Sequence, residues 1–279
     1  MSAHTPEVSA AKARRWGSFY FAEHMLRSMR AYLVTIIVTS VGNPLLYLFS
    51  MGVGLASIVD RSSSGQGAAA HGAFDGVGYL AFAAPALLVS SAVMTSANEM
   101  MFPVMDGFKW RRIYYGPHVT PLVPGQLAAG HIMAVGVRLL IQSLVFFFIM
   151  LLFGAAPGPW SWLLVPLGVL TGMAFGAPLM AYSAHIEKEN FQFSMIQRFI
   201  VMPLFLFSAT FYPLATMPIG MQWIGWISPL WHGNQLGRIV SYGLAEPGWL
   251  VVVHVLYLAV LWGVGIWWAR RNYTKRMGK

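Results

Sequence analysis

The sequence predicts an all-α integral membrane protein: six transmembrane helices, an N-terminal amphipathic interface helix, and a re-entrant outer hairpin before the last helix. Three observations predict it. Fifteen of the eighteen Lys and Arg fall in four clusters separated by long uncharged apolar runs. The 279 residues are 57% hydrophobic and 10% charged, with a mean hydropathy of +0.60, too little charge to keep a soluble chain of this length dissolved. Tryptophans gather where the apolar runs end, as an aromatic belt at two membrane–water boundaries requires.

The runs Ala31–Val59, Val77–Asn98, Leu139–Ile186, Phe199–Gly237 and Pro247–Ala269 carry no charge, and about 20 apolar helical residues suffice for one crossing. Spans are therefore expected at roughly 31–56, 77–101, 125–153, 161–183, 195–213 and 248–269. The basic clusters are Lys12, Arg14, Arg15, Arg27 and Arg30; Lys109, Arg111 and Arg112; Lys188 and Arg198; and Arg270, Arg271, Lys275, Arg276 and Lys279. Only an even number of spans puts both basic ends on one side, so the positive-inside rule places both termini in the cytoplasm. The outer loops then hold just Arg61 and Arg238, and Ser62–Ala70 reads as flexible. Trp160, Trp162, Trp223, Trp226, Trp231 and Trp249 mark the outer boundary, and Trp16, Trp110, Trp267 and Trp268 the inner one; Trp262 alone is mid-span. A net charge of +9 does not suggest nucleic acid, because a nucleic-acid binder gathers basic residues on a solvated face. With no Cys there is no disulfide framework, thiolate metal site or Cys nucleophile. The first apolar stretch is too long for a cleavable signal and is expected to be retained.

Three segments divide the chain into residues 1–30, the membrane domain 31–269 and a basic tail 270–279. Within the first, Ala13–Met29 sets Trp16, Phe19, Tyr20, Met25 and Leu26 mainly on one side of a helix, which suits a position along the inner membrane surface; a cytosolic extension of the first span is the alternative. Between spans two and three, Phe102–Pro124 mixes Asp106, Lys109, Trp110, Arg111 and Arg112 with Tyr114 and Tyr115. Asp106 is expected to cap a short helix running to about Tyr115 and ended by Gly116 and Pro117. Such a basic helix suits either lipid headgroups or a docking partner. The stretch Phe199–Gly237 is too long for one crossing, and Pro203, Pro213, Pro218 and Pro229 interrupt it. One span followed by a broken hairpin over about 213–245, dipping back from outside, is expected rather than a plain outer loop.

Phe205–Arg238 (FLFSATFYPLATMPIGMQWIGWISPLWHGNQLGR) is similar to a stretch of ABC-2-type transporter permeases: a Phe-Leu-x-Ser-small-x-x-aromatic-Pro core, then Leu-x-x-x-Pro, a Pro-Leu pair and an Arg. Asn43–Gly54, Gly78–Glu99 and His232 after Pro229-Leu230 resemble the branch of nodulation lipooligosaccharide export permeases. The resemblance implies six spans, an interface helix, a coupling helix at Asp106, Gly107, Lys109, Trp110, Arg111 and Arg112, and a re-entrant hairpin containing Pro213, Pro218, Pro229, His232 and Arg238. It also implies pairing with a second permease, identical or related, over two copies of an ABC ATPase subunit that hold the ATP and Mg. The cargo would be amphiphilic: a lipid-linked or lipo-oligosaccharide, or a hydrophobic drug-like compound. The setting would be membrane lipid of the bacterial plasma membrane.

The residues themselves supply no catalytic site. There is no Gly-x-x-x-x-Gly-Lys-Ser/Thr loop for nucleotide phosphates, no His-Glu-x-x-His pair and no nucleophile elbow. His185, Glu187 and Glu189 sit in a connector with Lys188, which reads as solvated rather than metal-binding. Arg138 is the one charge expected deep inside a span, where an unpaired Arg costs about 2.5–3.5 kcal/mol on insertion scales. Glu99 is the only plausible acidic partner, for a structural ion pair or a substrate contact. Gly168, Gly172 and Gly176 form a smooth strip on span four for close helix packing, within the subunit or at a dimer seam. His131 and His254 read as hydrogen-bonded structural residues. A membrane enzyme acting on lipid would need clustered acidic or His residues at one interface, and a channel or secondary transporter charged groups at midplane; nine scattered acidic residues give little to either.

Overall fold

Helix follows helix in the computed structural model, which describes residues 6–55, 74–118, 120–188 and 191–278; no strand occurs among them. Arg61 and the stretch 62–70 lie outside the described residues. Among the described residues five helical stretches are long and apolar enough to cross a bilayer: Arg14–Gly52, Tyr79–Trp110, Pro124–Leu152, Ser161–His185 and Gly248–Met277. The first combines α1 (Pro6–Ser28) and α2 (Leu33–Phe49) across a 3-10 turn; the others contain α3 (Tyr79–Met105), α5 (Pro124–Leu152), α6 (Leu164–His185) and α11 (Gly248–Met277). The crossing expected at 195–213 is a shorter apolar stretch, Gln192–Phe207. It consists of α7 (Gln192–Ile196), a π turn and α8 (Met202–Phe207). At ~1.5 Å per residue it reaches about 24 Å, short of a bilayer core of roughly 30 Å. The helix stops because Ala209 takes a left-handed φ of 57° and the chain turns.

Helix α6 is the centre of the bundle, touching α3, α5, α10 and α11. Its glycines explain how. A Cβ on Gly168 would meet Leu88 and Ser143 at 2.9 Å; one on Gly172 would meet Leu139 at 2.9 Å and the Ala92 carbonyl at 3.0 Å. One on Gly176 would meet Met100 at 2.9 Å. The strip is therefore filled by α3 and α5 of the same chain. On another side, Gly265 of α11 lets that helix approach Pro178 of α6, where a Cβ would lie 2.7 Å from the proline ring. Close approach gains dispersion contacts that larger side chains would prevent.

After α8, a 3-10 turn, α9 (Ile219–Ile227) and α10 (Pro229–Tyr242) follow. The prolines here begin elements: Pro213 precedes the turn, Pro218 precedes α9, and Pro229 takes the first turn of α10, where a missing N–H costs nothing. Ser228 alone joins α9 to α10, and its hydroxyl accepts from the Leu230 N–H. Helix α10 is wedged into the bundle. Gly233 faces Thr171 of α6 and Val89 of α3, with no room for a Cβ, and Gly243 at φ 79° closes the helix.

Two segments depart from expectation. In α1 the apolar residues are shared between two faces: Phe21, Ala22 and Met25 are buried against α5, while Trp16, Phe19 and Tyr20 are exposed. The buried face works because Gly130 of α5 admits Phe21 and the Ser18 carbonyl at Cβ distances of 3.0 and 2.6 Å. The segment 270–279, expected as a tail, is largely the end of α11, with Asn272, Tyr273 and Met277 buried.

Candidate functional site

Helix α3 does not stop before the basic residues at its end. It runs through Met105 into a π turn, Asp106–Trp110, then bends at Arg112 with φ 52°, and a short helix α4 (Tyr115–His118) follows. This corrects the expected separate helix. Asp106 has helical dihedrals and caps nothing; its carboxylate is ion-paired with Arg111, and the pair holds the guanidinium's pKa above its ordinary value. Gly116 and Pro117 lie inside α4 rather than ending a longer helix. The bend falls at Arg112 because Tyr114 must fold back over Gly107, where a Cβ would overlap the ring.

The elbow so formed has an inner and an outer side. Inward, Phe108 is buried with its ring centre 4.6 Å from that of Tyr114 and 4.7 Å from that of Tyr273 on α11. The Arg276 guanidinium lies 4.3 Å from the centre of the Phe108 ring. The same group donates to the Ala184 and Ile186 carbonyls at 3.0 and 2.7 Å, satisfying the end of α6. Outward, Trp110, Arg111 and Arg112 are exposed and Lys109 partly so. Sequence reasoning gave no role to Phe108, Tyr114, Tyr273 or Arg276; the aromatic spacing around the basic run was a signal for the first two, and the last two carried none.

From Tyr114 a polar chain enters the bundle. Burial pushes its phenol above the ordinary range, so it stays protonated and donates to His131 Nδ1 at 3.0 Å. His131 Nε2 in turn donates to the Glu99 carbonyl at 3.1 Å. The Glu99 carboxylate pairs with Arg138, both side chains four-fifths buried. Three cavities meet at Arg138. One of about 310 Å³ is polar on two sides, with Thr39 and Asn43 on α2 facing Ser91, Thr95 and Asn98 on α3. A second, of about 290 Å³, has apolar walls including Leu33, Ile37, Val41, Ile141 and Val145. The third, of about 630 Å³, runs to Asp106, Trp110 and Arg111.

At the other end of the bundle, Arg238 corrects the expectation of an outer-loop charge. It is 2% exposed, its guanidinium 3.8 Å from the Phe82 ring centre and donating to the Ala209 carbonyl and Gln235 Oε1. The turn after α8 thus supplies a carbonyl that a regular helix would have used itself. Nearby, His232 lies against His254, and His254 against Glu246. They bond in series rather than converging; among the described residues no three His, Asp or Glu side chains form a metal site. Of the connector His185, Glu187 and Glu189, the last lies outside the described residues.

A family profile described as ABC-2 type transporter matches residues 15–242. Among curated relatives, Nodulation protein J of Sinorhizobium fredii is 24% identical over 237 residues, covering 84% of this chain and 85% of that one. Nodulation protein J of Rhizobium leguminosarum bv. viciae is 24% identical over 226 residues, covering 80% and 81%. That of Rhizobium meliloti is 23% identical over 238 residues, covering 85% of each.

Proposed function

The chain belongs to the ABC-2 type transporter family, and from that premise we propose that it is the permease of an ATP-driven exporter in the bacterial plasma membrane. It works beside a second permease and over two copies of an ABC ATPase subunit, which bind the ATP and Mg. The elbow faces the cytoplasm with both termini, and the α9–α10 hairpin faces outward. The cargo is amphiphilic, its polar part in the cleft between α2 and α3 and its apolar part in the groove between α2 and α5.

One observation carries the reading. The elbow presents Trp110, Arg111 and Arg112 outward while Phe108 is locked between Tyr114, Tyr273 and Arg276. A partner that pushes on the cationic side moves α3 directly, because the π turn is continuous with it, and moves α11 through the aromatic lock. Basic side chains around an aromatic suit an acidic groove on the partner. The α3 displacement then reaches the cavities at Arg138.

The experiment uses the absence of native cysteine. Trp110→Cys, cross-linked to the co-purified ATPase subunit, is compared without nucleotide and with a non-hydrolysable analogue. The expected result is a contact to the ATPase that changes between the two states. Identical cross-links in both, or a label at position 110 reachable only from outside the cell, overturn the reading.

A further inference from the structure

The hairpin is tied to α11 by polar groups that the proposed transport path does not use. The Trp226 carbonyl of α9 faces His232 Nε2 at 3.1 Å. His232 Nδ1 faces His254 Nδ1 at 2.6 Å, and His254 Nε2 faces Glu246 Oε2 at 3.1 Å. Glu246 Oε1 accepts from Gln235, whose own oxygen accepts from Arg238 at 3.1 Å. His254 is fully buried, His232 nearly so, and the Glu246 side chain is 10% exposed.

A carbonyl only accepts, so His232 Nε2 carries a hydrogen. The two Nδ1 atoms need one hydrogen between them. A carboxylate also only accepts, so the third contact needs another. Two neutral imidazoles bring one ring hydrogen each, which leaves three bonds and two hydrogens. We infer that His232, His254 and Glu246 form a proton-binding site. The proton resides on the imidazole pair as imidazolium or on Glu246 as the carboxylic acid, and in either form all three bonds are made.

The surrounding charges agree. Arg238 is buried and positive, and Glu246 and the exposed Asp75 both act on it. Asp75 accepts from Tyr242 at 2.7 Å, and Tyr79 also lies within reach of Arg238. Facing the histidines, α11 contributes Tyr257, stacked 4.1 Å from His232 with its hydroxyl bonded to the Ile227 carbonyl, and α10 contributes the Trp231 ring. Neither side chain supplies the missing hydrogen. Ala174, Leu236 and Leu258 form an apolar cluster that joins α6, α10 and α11.

Loss of the proton sets two lone pairs against each other around the buried His254, which costs more than in water. The link of α9 and α10 to α11 is therefore made while the proton is bound and weakens as pH rises past the point where it leaves. The site is independent of the ATPase partner and of the cargo. Glu246→Gln separates the proton from the bonds, because a Gln amide accepts from Gln235 and donates to His254 without any extra proton.

Two measurements on the full chain in lipid vesicles test the site. In the natural chain, ¹⁵N-histidine solid-state NMR with infrared spectroscopy should find, at neutral pH, either imidazolium or a protonated carboxyl that disappears in Glu246→Gln. Two neutral rings beside an ionised Glu246 overturn the inference. Spin labels at Gly220→Cys on α9, where a Cβ meets open space, and at the exposed Val252→Cys on α11 read the link itself. The distance distribution between them should broaden or lengthen with rising pH in the natural background and hold constant in Glu246→Gln. Equal pH dependence in the two backgrounds also overturns it.

Discussion

The Arg276 guanidinium sits 4.3 Å from the centre of the Phe108 ring while bonding the last carbonyls of α6. One side chain near the end of the polypeptide therefore joins the elbow, α6 and α11. Arg276→Ala removes a partly desolvated cation–π contact and charged hydrogen bonds, together about 2 kcal/mol. We expect lower thermal stability in detergent, with stimulation of the ATPase falling further than its binding. Arg276→Lys, which keeps the charge and loses the planar fork, should recover only part of the stability.

Gly107→Ala tests the folding of Tyr114 over the elbow. The new Cβ would lie 2.7 Å from Tyr114 Cζ, and that ring is buried on its far side by Phe21, Tyr273 and Phe108. Overpacking of this kind costs about 1–3 kcal/mol. Urea unfolding of Gly107→Ala against the natural chain measures it, and loss of the Tyr114 to His131 bond should be visible in the histidine NMR signals.

Arg138 and Glu99 form the pair where the three cavities meet. Removing one member of a mostly buried pair costs about 3–5 kcal/mol, since the other is left charged and alone. Arg138→Leu and Glu99→Leu should each lower assembly or transport, and Arg138→Glu with Glu99→Arg should restore part of it. Full transport activity in Arg138→Leu would falsify any role for the pair.

Much of this architecture was legible in the charges. Long uncharged runs mark helices that cannot face water, and the basic run at Lys109–Arg112 fell where α3 leaves the bundle. Burial was not legible where it depended on partners far away in sequence. Arg238 looks like any loop arginine until the turn at Ala209 offers its carbonyl. Arg276 sits among basic neighbours, and only the end of α6 distinguishes it from them. The α1 helix shows the same limit: its pattern gave apolar residues, but Gly130, more than a hundred positions away, decides which of them turn inward.

The glycine strip gives the sharpest contrast between two similar changes. Gly172→Leu must displace Leu139 and the Ala92 backbone, so we expect a loss of about 3 kcal/mol or failure to fold. Gly263→Ala on α11 meets open space and should raise stability by up to about 1 kcal/mol through helix propensity. Detergent melting curves of the two variants provide the comparison, and equal effects would show that the strip is not a packing surface.

The position of α6 also limits how this subunit can deform. Among the described residues four helices rest on it, and pulling any one away would uncover buried apolar surface. Axial sliding along the glycine strip keeps that surface covered. Rearrangement inside the bundle is accordingly expected as shear, with α6 as the rail, while the sparsely packed α2 is left free to swing.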